Sequence, residues 1–208
     1  QIYNANRYTL TGFLTALGCE LLDLGNIPDD REQIRAALRH AADNSDLIIS
    51  SGGASVGEED HMRHIIEELG ELHLWKLAIK PGKPLLFGNI SDTPVIGLPG
   101  NPVSTFVTFS LYARPFILKM QGCAEHEYAR RSYSVQSGFS HKTATRREYL
   151  RARLEKNNKG ILIATLHPNQ SSGVLVSTTW ADGLICIPEE SNVKTGDGVE
   201  FLSFGEMG

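Results

Sequence analysis

Residues 49–60 read ISSGGASVGEED. An apolar run ends in two serines and two glycines, a further glycine follows at Gly57, and three carboxylates, Glu58, Glu59 and Asp60, close the stretch. Glycines let a backbone approach a ligand closely and turn successive N–H groups toward an anion. A helix beginning beyond such a loop adds its positive end. Ser51, Gly52, Gly53, Ser55 and Gly57 therefore make a candidate phosphate-binding loop. The competing reading is a plain flexible turn from strand to helix. Asp60 bears on the choice, because a carboxylate beside phosphate is repelled unless a cation lies between them. Asp60 is thus a candidate ligand for a divalent metal ion. Its competing role is to cap the helix that follows.

Other stretches carry related chemistry. WKLAIKPGKP (75–84) holds Lys76, Lys80 and Lys83. Under the two-residue period of a strand, Lys76, Ala78 and Lys80 share one side, so Lys76 and Lys80 converge on one anion; the alternative is lysines solvated at a strand end. GLPGNPVS (97–104) reads as a strand end, a tight turn through Pro99, Gly100, Asn101 and Pro102, and a helix with Pro102 near its first position. Asn101 and Ser104 offer polar groups at that helix start. NQSSG (169–173) is a polar loop that by itself reads as a turn. His61 and His64 share a helix face but lack further ligands at zinc spacing, so they read as surface histidines. Cys19, Cys186, Trp75 and Trp180 read as packing residues. No Walker loop, GxGxxG, GxSxG or HExxH occurs.

These residues need elements to hold them. Leu10, Phe13, Leu14 and Leu17 fall on one face of a helix stopped at Gly18. CELLDL (19–24) reads as a short apolar strand. Asp30 caps a second helix whose inner face is Ile34, Ala37, Leu38 and Ala41, with Gln33 completing a capping box. DLIIS (46–50) is a continuous apolar strand of the kind found in a parallel sheet covered on both faces. Met62, Ile65, Ile66 and Leu69 mark a third helix. Strands at about 72–79, 84–88 and 94–98 follow, then a long apolar helix from Pro102. The expectation is an α/β domain, doubly wound, with a mostly parallel sheet and helices on both faces. Beyond QGCAEHE (121–127) the character changes. SYSVQSGF, REYLRARLE, GILIATL, GVLVSTT, GLICIPEE and GVEFLSF are short, β-rich and separated by turns, so a small all-β barrel or sandwich is expected. The expected domains are 1–124 and 125–208.

Composition narrows the function classes. The 208 residues are 41% hydrophobic and 21% charged with a net charge of -4 and no long basic run, which argues against nucleic acid as partner. No stretch reaches the apolar length of a membrane-spanning helix. Cys19, Cys123 and Cys186 form no CxxC pair, which suits a reducing cytoplasm rather than a disulfide framework. No secretory signal is read at the start, and Gln1 leads at once into a helical pattern, as in a piece of a longer chain.

In this order and spacing, ISSGGASVGEED, WKLAIKPGKPLLFG and GLPGNPVSTFVTF resemble the molybdopterin molybdenumtransferase family, which includes the bacterial molybdenum-cofactor enzyme and the C-terminal domain of gephyrin. QIYNANRYTLTGFLTALGCELLDLGNIPDD resembles it too, and HPNQSSG extends the likeness more loosely into the second domain. The resemblance implies insertion of molybdate into the dithiolene of adenylylated molybdopterin with release of AMP. It implies magnesium as the divalent cation, a homodimer, and an upstream molybdopterin adenylyltransferase as a further partner. By position, the functional acids of the family fall on Asp29 and Asp60 and its lysines on Lys76 and Lys80. Its turn prolines fall on Pro99 and Pro102, and the serine of its C-terminal domain on Ser172. Ala54 stands where valine is usual, and His61–Met62 where tyrosine–threonine is common. The family's first strand in this domain and its two N-terminal domains lie upstream of Gln1, so the resemblance implies a partial site, inactive by itself. Two other functions stay open: molybdopterin adenylyltransferase, which shares the fold and a glycine-rich loop, and a non-enzymatic scaffold. The SVGEED run and the appended β domain stand against the adenylyltransferase.

Overall fold

The computed structural model describes residues 4–52 and 61–206. Capping sets the first helices. Asn4 accepts from the Arg7 N–H at 3.2 Å to begin α1, Ala5–Ala16. Asp30 accepts from the Gln33 N–H at 2.9 Å to begin α2, Arg31–Asn44. The second arm of the expected capping box is absent, because the Asp30 N–H donates to the Pro28 carbonyl at 2.8 Å instead. Then come β1 (Ile48–Ser51), α3 (His61–Leu69), β2 (Gly70–Trp75), β3 (Ile79–Lys80), β4 (Leu86–Ile90), β5 (Thr93–Leu98) and α4 (Pro102–Thr108). A π-helical turn, Phe109–Ala113, joins α4 to α5, Arg114–Met120. Pro115 explains that turn: it has no N–H to donate, and its ring crowds the carbonyl four residues back, so the ladder widens ahead of it.

Two units share the chain, Gln1–Leu77 with Gly82–Phe109, and Ala78–Pro81 with Ser110–Gly208. In the first, the sheet order is β1-β5-β4-β2. β1 runs parallel to β5, while the other two pairs are antiparallel, so the sheet among the described residues is mixed. One apolar layer joins Ile34 and Leu38 of α2, Met62, Ile65 and Ile66 of α3, and Ile48, Leu86 and Val95 of the sheet. Separately, α1 meets α4 through Phe13, which stacks on Phe109 at 4.8 Å and tilts against Phe106 at 5.5 Å.

Two expected strands differ. Residues 19–24 form no strand, and Leu21, Leu22, Leu24 and Ile27 are between 36% and 48% exposed. An apolar run becomes a strand only when another backbone meets its N–H and C=O groups, and no described strand lies alongside it. The expected strand 72–79 is two strands. β2 ends at Trp75, Lys76 turns with φ 93, and β3 belongs to the other unit.

In the second unit come α6 (Glu125–Tyr128), β6 (Tyr133–Ser137), β7 (His141–Lys142), β8 (Arg147–Lys156), β9 (Leu162–Leu166), α7 (Val176–Trp180), β10 (Gly183–Ile187), β11 (Asn192–Val193) and β12 (Gly198–Ser203). Strand order β10-β12-β6-β9-β8 closes on itself, because β10 also pairs with β8. Closure removes the free edges that an open sheet exposes. β3 adds to β8 as a parallel outer strand. Inside lie Val135, Leu150, Ala152, Ile185, Ile187 and Phe201. GVLVSTT, expected as β, contains a short helix instead: Ser177, Thr178 and Thr179 each bond back to the carbonyl three residues earlier. The division between units at Phe109 falls earlier than the expected 124, inside a continuous helical stretch. A helical period persists through a change of packing partner, so the pattern carries no mark of it.

Candidate functional site

In the first unit the parallel pair β1–β5 brings two strand ends to one edge of the sheet, the place where open α/β sheets bind ligands. Ser51 and Gly52 leave β1 there, and Pro99 and Gly100 leave β5. Gly52 has φ 88, a conformation that a side chain disfavours, and its N–H donates to Leu98 O at 3.1 Å. A Cβ on Gly100 would lie 3.6 Å from Gly52 Cα, so the space between the two glycine segments is about one side-chain atom wide. Thr105, fully buried in α4, holds the turn by donating to Pro99 O at 2.6 Å. Asn6 of α1 is the connecting residue. It is only 7% exposed, and its Nδ2 donates to Ser51 Oγ at 2.7 Å and to Gly100 O at 2.8 Å. A single amide thus ties a helix to both strand exits.

The other expected residues of this unit are placed unevenly. Gly53, Ser55, Gly57 and Asp60 lie outside the described residues. Pro102 occupies the start of α4, but Asn101 makes no side-chain cap. Ser104 is buried in α4 rather than offered at its start. Asp29 is exposed and forms no hydrogen bond or ion pair among the described residues. The Lys76 ammonium lies 3.6 Å from the centroid of the Trp75 ring, with the Arg63 guanidinium over the same ring at 4.2 Å. Trp75 is thus a cation platform rather than plain packing. Lys83 is exposed, and its carbonyl accepts from Leu77 N–H at 2.8 Å. Lys76, with its positive φ, follows the end of β2 and Lys80 lies on β3, so the two are not on one continuous strand.

Lys80 instead joins a cavity of about 240 Å³ in the second unit, lined also by His141, Glu148, Arg151, Gln170 and Ser171. Glu148 is buried and receives Lys80 Nζ at 3.1 Å and His141 Nε2 at 3.0 Å. Arg151 has no exposed surface at all. Its Nε donates to Ser177 Oγ at 3.0 Å, and its Nη2 to the carbonyls of Asn169 and Ser171 at 3.2 and 3.0 Å. Its Nη1 is buried with no partner, and no carboxylate pairs with the charge, among the described residues. Burial pushes the guanidinium down to about 10, so it remains charged at neutral pH. Gln170 clamps the backbone of Arg151 from both sides, accepting from its N–H at 3.0 Å and donating to its carbonyl at 2.9 Å. The NQSSG loop is therefore half of a buried guanidinium site, not a simple turn. Ser172, next in that loop, is half-buried and its hydroxyl has no partner among the described residues.

Asn6, Glu148 and Arg151 were not legible as site residues. For Glu148 and Arg151 a signal existed: REYLRARL sets four charged residues among apolar and aromatic ones along a single strand, so some of them face a buried polar network. For Asn6 none did, since an asparagine in the first turn of a helix is ordinary.

The family described as probable molybdopterin binding domain matches residues 1–119, more than half of the chain. The chain belongs to this molybdopterin-binding family. Residues 139–204 match the MoeA C-terminal region (domain IV), so this member carries the family's domain followed by a small β unit. The molybdopterin molybdenumtransferase of Haemophilus influenzae is 34% identical over 208 residues, covering 100% of this chain and 52% of that protein. Gephyrin of Dictyostelium discoideum is 30% identical over 215 residues, covering 88% of this chain and 29% of that protein. The crystal structure of the molybdopterin biosynthesis MoeA protein from Pyrococcus horikosii superposes with a TM-score of 0.79 at 32% identity, covering 98% of this chain and 49% of that one. The chain thus spans about half the length of the Haemophilus relative. The strand-end crevice lies within the residues that this family matches. The described residues gather no group of three acidic, histidine or cysteine side chains able to hold a metal ion.

Proposed function

We propose that this chain supplies two anion sites of a molybdopterin molybdenumtransferase, one in each unit. The crevice at Ser51, Gly52 and Gly100 takes the phosphoryl part of adenylylated molybdopterin through the Ser51 hydroxyl, with the two glycines letting the ligand approach the backbone closely. The barrel cavity takes molybdate. A tetrahedral dianion there meets the Lys80 ammonium, with the buried charge of Arg151 behind the cavity wall. A bound oxyanion offsets the cost of that buried charge. The observation that carries the reading is this buried, carboxylate-free guanidinium beside a cavity. It also favours metal insertion over adenylyl transfer, since the charged cavity belongs to the added β unit. Asp60 is assigned to a divalent cation that offsets phosphoryl charge when bound. Family membership and the relatives named above support the substrate class.

The test is AMP release from adenylylated molybdopterin by the full-length protein, with and without molybdate, alongside calorimetric titration of molybdate alone. Arg151→Lys, which keeps the charge but loses the planar fork, is expected to weaken molybdate binding about tenfold or more. AMP release indifferent to molybdate, or AMP transfer from ATP to molybdopterin, overturns the proposal.

A further inference from the structure

Hydrogen-bond chemistry settles how the Asn6 amide is turned. Gly100 O is a carbonyl oxygen and only accepts, so the Asn6 atom 2.8 Å from it is the nitrogen. The same Nδ2 stands 2.7 Å from Ser51 Oγ, which makes the serine oxygen the acceptor in that bond. Ser51 therefore keeps its own O–H proton uncommitted, and its hydroxyl makes no other hydrogen bond among the described residues. A serine hydroxyl left to itself can accept from water as readily as it donates. With its acceptor side occupied by a buried amide, it is biased toward donation, and the amide bond polarises the O–H further.

We propose that Asn6 is a positioning residue that makes Ser51 a dedicated hydrogen-bond donor to a phosphoryl oxygen bound at the strand-end crevice. This rests on the phosphoryl reading given above and goes beyond it by naming the residue that orients the donor. Three observations converge. Asn6 is nine-tenths buried, so its orientation is set by packing. Ser51 is the last residue of β1, directly before Gly52 with its positive φ. The second bond of Asn6 fixes Gly100, the residue whose Cα side faces Gly52, so the amide sets hydroxyl direction and crevice width together. An anionic acceptor makes the Ser51 bond charge-assisted, about twice as strong as a neutral one.

The experiment is a double-substitution cycle read by calorimetric binding of adenylylated molybdopterin to the full-length protein without molybdate, with melting temperatures recorded in parallel. Asn6→Ala and Ser51→Ala are each expected to weaken binding about tenfold. Their combination is expected to be no weaker than the poorer single variant, because the amide acts through the hydroxyl. Asn6→Asp is expected to be weaker still, since a carboxylate accepts the Ser51 proton and turns it out of the crevice. Losses that add in the double variant, or unaltered binding in either single variant, overturn the proposal. Ser51→Ala alone decides the case if Asn6 variants fold poorly: its hydroxyl accepts one bond, and unaltered binding without it removes the basis of the inference. No binding by the wild-type protein overturns the phosphoryl reading itself and this inference with it, whereas intact wild-type binding with insensitive variants overturns only the inference.

Discussion

The strand-end crevice of the first unit and the barrel cavity of the second are built from different materials. The crevice is made of backbone and a hydroxyl: Gly52, Gly100 and Ser51, held by Asn6 and Thr105. The cavity is made of charged side chains: Arg151, Lys80, His141 and Glu148. Among the described residues the crevice brings no buried charge and so carries little desolvation cost, while the cavity carries a buried guanidinium that no described carboxylate pairs with. The difference fits the two roles proposed for these sites. A phosphoryl group that stays attached to a larger ligand can be held by oriented dipoles and by the rest of that ligand. A free tetrahedral dianion has no other handle, so its site must invest charge and keep it dry.

If that contrast holds, the largest effect of substitution falls on Arg151. Arg151→Met is expected to destabilise by about 3 kcal/mol or more, because Ser177 Oγ and the carbonyls of Asn169 and Ser171 lose their donor together. Urea unfolding measures it, and a variant as stable as wild type would mean that the strands alone hold the NQSSG loop. In the crevice the effects are smaller and split by backbone geometry. Gly52→Ala places a side chain at φ 88 and should cost about 1–2 kcal/mol. Gly100→Ala meets Gly52 Cα only at ordinary contact distance and should leave stability within about 0.5 kcal/mol. Thermal unfolding of both separates strain from crowding, and equal losses would contradict a crevice set by the Gly52 turn.

A pH dependence is confined to the barrel. Burial pushes the Cys186 thiol up to about 11 from its ordinary 9.0, with Glu200 adding to the shift. The folded state therefore holds its proton where the unfolded state releases it. Stability from this group is complete below pH 9 and is lost as pH rises from 9 through 11, by about 1 kcal/mol near pH 10. Tyr149, pushed up to about 12 chiefly by burial, adds the same sign at higher pH. Cys186→Ala should flatten the slope between pH 9 and 10 in chemical unfolding, and an unaltered slope would assign it elsewhere.

Periodicity and punctuation determined much of this protein without a fold. The apolar faces of α1, α2 and α3, the cap at Asp30, the break at Gly18 and the turn through Pro99 and Pro102 are local properties, written in neighbours three or four residues apart. The glycines after β1 and the lysines of KPGK were legible as anion chemistry because residue type alone limits what they can do. Tertiary structure decided the rest. Whether CELLDL becomes a strand depends on a partner backbone, which no local pattern records. Whether Lys76 and Lys80 act together depended on a break at Lys76 that sends the chain into a second unit, and strand alternation has no term for such a turn. Arg151 became a site residue only when barrel closure buried it and residues 169–171 folded back onto it. Asn6 was one polar residue among many until two strand exits, 45 and 94 residues along the chain, came within reach of a single amide nitrogen. Contacts between residues that distant are set by packing of whole elements, which is why neither residue type nor spacing could announce them.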